Sequence, residues 1–348
     1  MKKVGVIFGG ISTEHDVSIV SGTSVIKNLD KNKYDIIPIY ISKEGEWYKY
    51  NVPIKEIEVL KVGDKLENLV KIENIFDTLK KLDVVFPVLH GLGGEDGTIQ
   101  GLLQMLKVPY VGCGVLASSI GMDKAYTKII FEKANIKQAK YEYIRKIKNE
   151  YIYIDKKFNE RICTLDELCE IIINKLKFPM FIKPSNSGSS VGINKANNLG
   201  ELKKYIEYAS NFDNKVLIEE GIVGREVECA VLGDNEVISS CVGEILPAED
   251  FYTFDAKYKN SESVAVIPAD ISKEISNNIR DLAVKAFKAI DGNGLSRVDF
   301  FVEKSTNEIY INEINTMPGF TEISMYPKLF EQVGIRYSEL LDKLINLT

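Results

Sequence analysis

Residues 4–29 read VGVIFGGISTEHDVSIVSGTSVIKNL, and this stretch decides the fold class. The β-branched apolar run 4–8 is a strand, closed by the turn Gly9-Gly10, and a helical pattern follows over about 16–29. The alternation recurs downstream. A second strand is expected at 34–41 and a third apolar run at 82–89, followed by the glycine-rich segment 90–97, a helix at 98–107 and the turn 109–112. Strands alternating with helices imply a parallel sheet with ligands at the strand C-terminal ends. The lysine- and glutamate-rich residues 43–80 are expected to form a surface excursion.

A second unit begins near residues 113–123. It holds a helix at 124–135, a charged stretch of little pattern at 137–161, a helix at 165–176 and a strand at 180–183 that runs into KPSNSGSSVG at 183–192. The remainder is strand-rich, with strands expected at 216–219, 226–232, 236–245, 264–268, 295–302 and 309–315 and one helix at 273–290. The expected architecture is α/β and α+β in three units, 1–112, 113–218 and 219–348.

The 348 residues carry 45% hydrophobic and 27% charged side chains, the profile of an ordinary globular protein. The net charge of −6 offers no basic surface for nucleic acid or an anionic membrane. Five cysteines without a CxxC pair and two histidines argue against zinc, and buried thiols in a reducing compartment are expected. The apolar run at the N-terminus is too short for a signal sequence, so a cytoplasmic protein is expected.

Four segments carry candidate chemistry. In Ser296-Arg297-Val298-Asp299-Phe300, residues 297 and 299 share a strand face, as do Glu313 and Asn315 in 311–315. If the two strands pair, an arginine, two carboxylates and an amide converge. Hard oxygen donors without His or Cys suit Mg²⁺ completed by phosphate oxygens and water. The bland reading is the solvent face of a hairpin. In the loop 183–192, small residues turn backbone N–H groups toward a phosphate and Lys183 is placed to reach it, although no P-loop pattern occurs. A flexible surface turn is the alternative. Glu14, in the turn after the first strand, suits a substrate ammonium, while Ser12, Thr13 or Asp16 can equally serve there as a helix cap. His90 opens HGLGGEDG, where glycines allow close backbone approach, and a lone histidine is more often structural.

Together these segments resemble the ATP-grasp superfamily, and most closely the D-alanine–D-alanine ligases. The resemblance runs end to end: FGGxSxE at 8–14, HGxxGEDGxxQG at 90–101, MDK at 122–124, KPSxxGSSVG at 183–192, AKY at 256–258, SRVDF at 296–300 and NEINTMPGFT at 312–321. It implies a three-domain ATP-grasp architecture with an N-terminal parallel α/β domain. It further implies that Glu14 holds the ammonium of the first D-alanine, with Ser189 and Tyr258 as its hydrogen-bonded partners, and that His90 lies near that substrate's carboxylate. Lys124 and Lys183 match the ATP-phosphate lysines and Lys257 the loop lysine that reaches the γ-phosphate. Glu219 and Glu226 match residues gripping adenine and ribose. Arg297 matches the arginine that stabilises the tetrahedral intermediate, with backbone N–H groups near Gly319. Asp299, Glu313 and Asn315 match the ligands of two Mg²⁺ ions, with Mn²⁺ as a substitute. Ser324 and Met325 fall where the second substrate binds, and the run 249–263 is the expected lid.

The implied reaction uses ATP and two D-alanines in peptidoglycan precursor synthesis, by a homodimer that binds neither nucleic acid nor membrane. Three departures stand out. Glu220 replaces a common lysine beside adenine, Ile323 sits where many relatives have histidine, and the loop carries AKY, which in this family goes with an amine acceptor. A D-alanine–D-serine ligase is the alternative acceptor reading. A nicotinamide dehydrogenase lacks its glycine fingerprint, and a non-catalytic nucleotide sensor is at odds with so complete a set of site residues.

Overall fold

A computed structural model describes residues 1–188, 191–246 and 264–348. Its strands form three sheets, in 2–88, 141–220 and 224–315. The first contains β1 (Lys2–Gly9), β2 (Tyr34–Ile41), β3 (Trp47–Tyr50), β4 (Leu69–Lys71) and β5 (Val84–Val88), in the order β4-β3-β2-β1-β5. Its centre, β2-β1-β5, is parallel, and β3 and β4 add antiparallel to the β2 edge. The sheet is therefore mixed. The expected surface excursion at 43–80 folds back as short edge strands and a helix, α2 (Ile75–Leu79). The helix α1 (His15–Asn28) packs on this sheet, and α3 (Thr98–Leu106) follows β5.

The helices α4 (Val115–Met122) and α5 (Lys124–Lys133) lead to the second sheet. It comprises β6 (Tyr141–Ile147), β7 (Glu150–Ile154), β8 (Glu160–Cys163), β9 (Met180–Pro184), β10 (Asn194–Ala196) and β11 (Lys215–Glu220), ordered β10-β9-β11-β6-β7-β8. Here the expectation of a patternless 137–161 is corrected. YEYIRKI and EYIYI pair as an antiparallel hairpin with Tyr143, Ile144 and 151–154 buried. The lysines and glutamates gathered at the turn obscure that alternation. One face of the sheet is covered by α6 (Leu165–Ile173) and α7 (Leu199–Ala209) through Ile144, Ile182, Ile206 and Ile218. The other face meets α5 through Tyr143, Leu217 and Ala125.

The third sheet is antiparallel throughout: β12 (Gly224–Gly233), β13 (Val237–Leu246), β14 (Val264–Val266), β15 (Gly294–Glu303) and β16 (Ile309–Asn315), ordered β14-β13-β12-β15-β16. The amphipathic α8 (Lys273–Ala289) packs Ile279, Ala283 and Phe287 against Val227, Val298 and Phe300. The opposite face is apolar at Ala230, Leu232 and Leu295, which join the core of the first sheet, and acidic at Glu226 and Glu228.

Two C-terminal helices, α9 (Met325–Gln332) and α10 (Tyr337–Asn346), add to the expected elements. Leu340, Leu341, Leu344 and Ile345 have helical spacing and are fully buried beside Val4, Ile26 and Tyr34, so the last helix shares a core with the first strand. All five cysteines are free thiols, four of them buried. No described helix is long and apolar enough to cross a membrane.

Candidate active site

On the third sheet, antiparallel pairing sets Arg297 opposite Asn315 and Asp299 opposite Glu313, and on the other side Glu228 opposite Asp299. Glu228, Asp299 and Glu313 thus form a row across three strands on one face. The Arg297 fork donates twice to Asp299, Nε to Oδ1 at 2.7 Å and Nη2 to Oδ2 at 2.7 Å. Nε also lies 3.0 Å from Glu228 Oε2. Asn315 Nδ2 donates to Asp299 Oδ2 at 3.1 Å. Burial opposes the guanidinium charge, but Asp299 and Glu228 outweigh it and hold Arg297 far above its ordinary pKa. Glu228 is not among the residues that the sequence singles out, although the alternation of Glu226, Glu228 and Ala230 along β12 puts it on the site face.

Across a cleft lined by Gly121, Lys124, Lys128, Lys183, Glu219 and Glu313 lies the second sheet. Lys183 and Glu219 share a face of the β9–β11 pair on neighbouring diagonal positions. Glu219 is buried, and each of its oxygens takes one ammonium: Lys128 on Oε1 at 2.5 Å and Lys183 on Oε2 at 2.6 Å. Burial would raise its pKa, yet the two lysines overcome that and bring it down to about 2. Burial also pushes Lys128 down, whereas at Lys183 the charge of Glu219 outweighs burial and raises the pKa, with Glu313 and Glu226 contributing. In this state Glu219 is thus committed to lysines. Alongside the adenine contact that the resemblance implies for it, Glu219 here holds Lys183 in the cleft. Lys128 is a site residue that sequence reasoning misses. Its signal is the spacing of four from Lys124, which puts both on one side of α5.

Lys124 opens α5, where Asp123 caps the helix by accepting from the Tyr126 N–H. Lys124 Nζ donates to the Ser187 carbonyl at 2.6 Å, and its own N–H to the Ser185 carbonyl at 3.0 Å. Asp123 also accepts from Ser185 Oγ at 2.6 Å and pairs with Lys215. The start of α5 is therefore fastened to the loop that begins at Lys183.

At the first sheet, Glu14 precedes α1, and its buried carboxylate is enclosed by two glycines. A Cβ on Gly91 would lie 2.6 Å from Glu14 Oε2, and one on Gly188 2.4 Å from the same atom. A side chain at either position would push the Glu14 carboxylate aside, and Gly91 also has φ of +72°, a conformation that favours glycine. His90 is buried with both ring nitrogens engaged, Nδ1 3.1 Å from the Met317 carbonyl and Nε2 2.9 Å from Ser21 Oγ. The Met317 carbonyl can only accept, so in a neutral ring Nδ1 donates to it and Nε2 accepts from Ser21 Oγ, which itself accepts from the Phe320 N–H at 3.2 Å. Burial holds the imidazole below its ordinary pKa. His90 thus ties the 316–320 segment to α1, where the sequence suggested a contact to substrate carboxylate.

Glu95, an acidic residue of HGLGGEDG that the sequence does not distinguish from its neighbours, accepts from the Gly91 N–H at 2.9 Å and the Met317 N–H at 3.4 Å. Burial and the neighbouring charge of Glu14 push its pKa up to about 8. Ser324 caps the turn before α9 by accepting from the Thr321 N–H at 3.0 Å, and Gly319 backs onto its hydroxyl. Met325 was expected in the second-substrate subsite. It is buried in the core against Gly243 of β13. Ser189, Lys257, Tyr258 and the expected lid 249–263 lie outside the described residues.

Among the described residues no three His, Cys, Asp or Glu side chains gather as a closed metal cage. Asp299 and Glu313, with the Asn315 amide, form instead a partial set of hard oxygens. That fits a Mg²⁺-type ion brought in with phosphate oxygens and water rather than one held by protein alone.

Comparison with known proteins identifies the family. Residues 3–113 match the family described as D-ala D-ala ligase N-terminus, and residues 130–346 match D-ala D-ala ligase C-terminus. The D-alanine–D-alanine ligase of Acetivibrio thermocellus is 50% identical, the match covering 99% of this chain and 95% of that one. That of Clostridium novyi is 48% identical, over 99% and 97%. Among solved structures, the VanG D-Ala:D-Ser ligase of Enterococcus faecalis superposes with a TM-score of 0.85 at 38% identity, covering 99% of both chains. The D-alanine–D-alanine ligase of Coxiella burnetii gives 0.80 at 31% identity, over 99% and 93%.

Proposed function

The chain belongs to the D-alanine–D-alanine ligase family, and on that premise we propose that it joins two D-alanine molecules, converting ATP to ADP and phosphate, to supply a peptidoglycan precursor. The observation that carries the reading is the cleft in which Lys124 and Lys183 of one half face Glu313 of the other, beside the Arg297–Asp299 pair. It offers cations for a triphosphate, oxygens for its counter-ion and a guanidinium for an oxyanion.

In this reading Glu14 receives the ammonium of the first D-alanine, whose carboxylate attacks the γ-phosphorus as ADP departs. Lys124 and Lys183, and Lys257 by resemblance, spread the charge of the transferred phosphoryl group. The amine of the second D-alanine, already deprotonated, adds to the acylphosphate carbonyl. Arg297 and backbone N–H groups near Gly319 stabilise the oxyanion, and its collapse forms the peptide bond and expels phosphate. Asp299, Glu313 and Asn315 would hold Mg²⁺, two ions in this reading with Mn²⁺ as substitute, which when bound neutralises phosphate charge. An acylphosphate hydrolyses readily, so the run 249–263 with Tyr258 is assigned as the lid, and Ser189 as its link to Glu14. The resemblance also supports a cytoplasmic homodimer, which light scattering would test.

The acceptor is assigned as D-alanine because the 48–50% identical relatives carry that name, although the VanG likeness keeps D-serine in the experiment. ADP release is measured with Mg²⁺, ATP and D-alanine, then with D-serine or D-lactate added. Release with D-alanine alone is expected. Silence with every D-amino acid would end the ligase reading, and a dominant D-alanyl-D-serine product would overturn the acceptor.

A further inference from the structure

Glu219 bonds two lysines that are not equivalent. Lys183 is the penultimate residue of β9, is 14% exposed and sits at the mouth of the 183–192 loop. Lys128 is 3% exposed, lies on α5 near the Tyr141 ring (5.5 Å to its centroid), and has no hydrogen-bond acceptor beyond this ion pair among the described residues. The third lysine of the cleft, Lys124, is held by a neutral carbonyl and leaves no charge behind when it moves. Lys183 is different. Drawn toward a phosphate, it abandons a carboxylate that water hardly reaches, and a buried carboxylate deprived of its partner is costly.

We propose that Lys128 is a positioning residue of the nucleotide site, a fixed counter-charge that keeps Glu219 satisfied so that Lys183 can transfer from Glu219 Oε2 to a phosphate oxygen. The inference rests on the ATP-binding reading above and adds to it a division of labour between two buried lysines. One stays and one moves. Without Lys128, Lys183 is the only cation left to Glu219 in the triad, and phosphate must compete with that carboxylate for it.

The test is calorimetric binding of ADP with Mg²⁺, and of adenosine, to the full-length chain and its variants. Lys128→Met is expected to weaken ADP by about tenfold or more while changing adenosine by less than about threefold, because only ADP needs Lys183 released. Lys128→Arg should restore most of the ADP affinity. The double variant Lys128→Met with Glu219→Gln should bind ADP better than Lys128→Met alone, since no carboxylate is left to retain Lys183. It also keeps the test open if Lys128→Met alone does not fold. Equal loss of ADP and adenosine would make Lys128 a packing residue and overturn the inference, as would an unchanged ADP affinity or a double variant worse than Lys128→Met. A wild-type chain that bound no ADP would overturn the nucleotide reading as well. Binding by wild type with no response in the variants defeats only the role of Lys128.

Discussion

The two halves of the cleft neutralise buried charge in opposite ways. On the second sheet one carboxylate, Glu219, is shared by two lysines, each held through a single contact. On the third, one guanidinium is shared by two carboxylates and grips Asp299 through both arms of its fork. An ammonium is a compact point charge on a flexible stem, and it keeps its strength when it swings to a new partner. A guanidinium bound at both ends loses geometry when it turns. The lysine side is therefore suited to a charge that changes partners, the phosphoryl group, and the arginine side to a charge that develops at a fixed place, the oxyanion.

Breaking the arginine side should have the largest effect. Arg297→Lys keeps the charge and removes the fork. If position matters more than charge, kcat falls about 10²–10³-fold, the range found for losing one oxyanion donor, while KM for ATP changes little. Initial-rate kinetics of ADP release decide. A lysine variant near wild type would erase the contrast between the halves. A smaller effect is expected at Glu228→Gln, which leaves the Asp299 fork intact and removes only the second carboxylate. Loss of one charge-assisted contact at about 1.5 kcal/mol lowers kcat by about tenfold. An unchanged kcat would mean that Asp299 alone fixes the guanidinium.

The residues of the cleft are unequally legible in the sequence. Period-two spacing alone puts Arg297 and Asp299 on one strand face and Glu313 and Asn315 on another, and the pairing of β15 with β16 brings the two sets together. The order of the motifs points to Glu14 and to Lys124 and Lys183 of the cleft. Glu228 is hidden because its strand reads as apolar alternation, and which face meets the site depends on a register with β15 that sequence does not specify. Lys128 is hidden among surface-like helix residues, and its partner Glu219 comes from a strand 91 positions away in the chain. Aromatic strands at 141–154 are obscured by charges at their turn. The last helix carries a legible 3.6-residue pattern, but nothing local reveals that it packs beside β1.

A third way of neutralising charge lies at the first sheet, and it carries the smallest prediction. Glu95 is held by two backbone N–H groups beside Glu14, and burial raises its pKa from an ordinary 4.5 to about 8. Here a proton does what lysine does at Glu219 and arginine at Asp299. The folded chain then keeps a proton that the unfolded chain loses above about pH 4.5, so this group's contribution to stability is full below that pH and is lost as pH rises through about 8. Glu95→Gln has no proton to lose. Between pH 5 and 8 its thermal midpoint should therefore rise steadily relative to wild type, the underlying stability difference growing by at most about 1.4 kcal/mol per pH unit. Above pH 8 the difference should level off. Parallel midpoint curves across that window would mean that Glu95 is already ionised at neutral pH, which would place a second negative charge beside Glu14 where the substrate ammonium is expected.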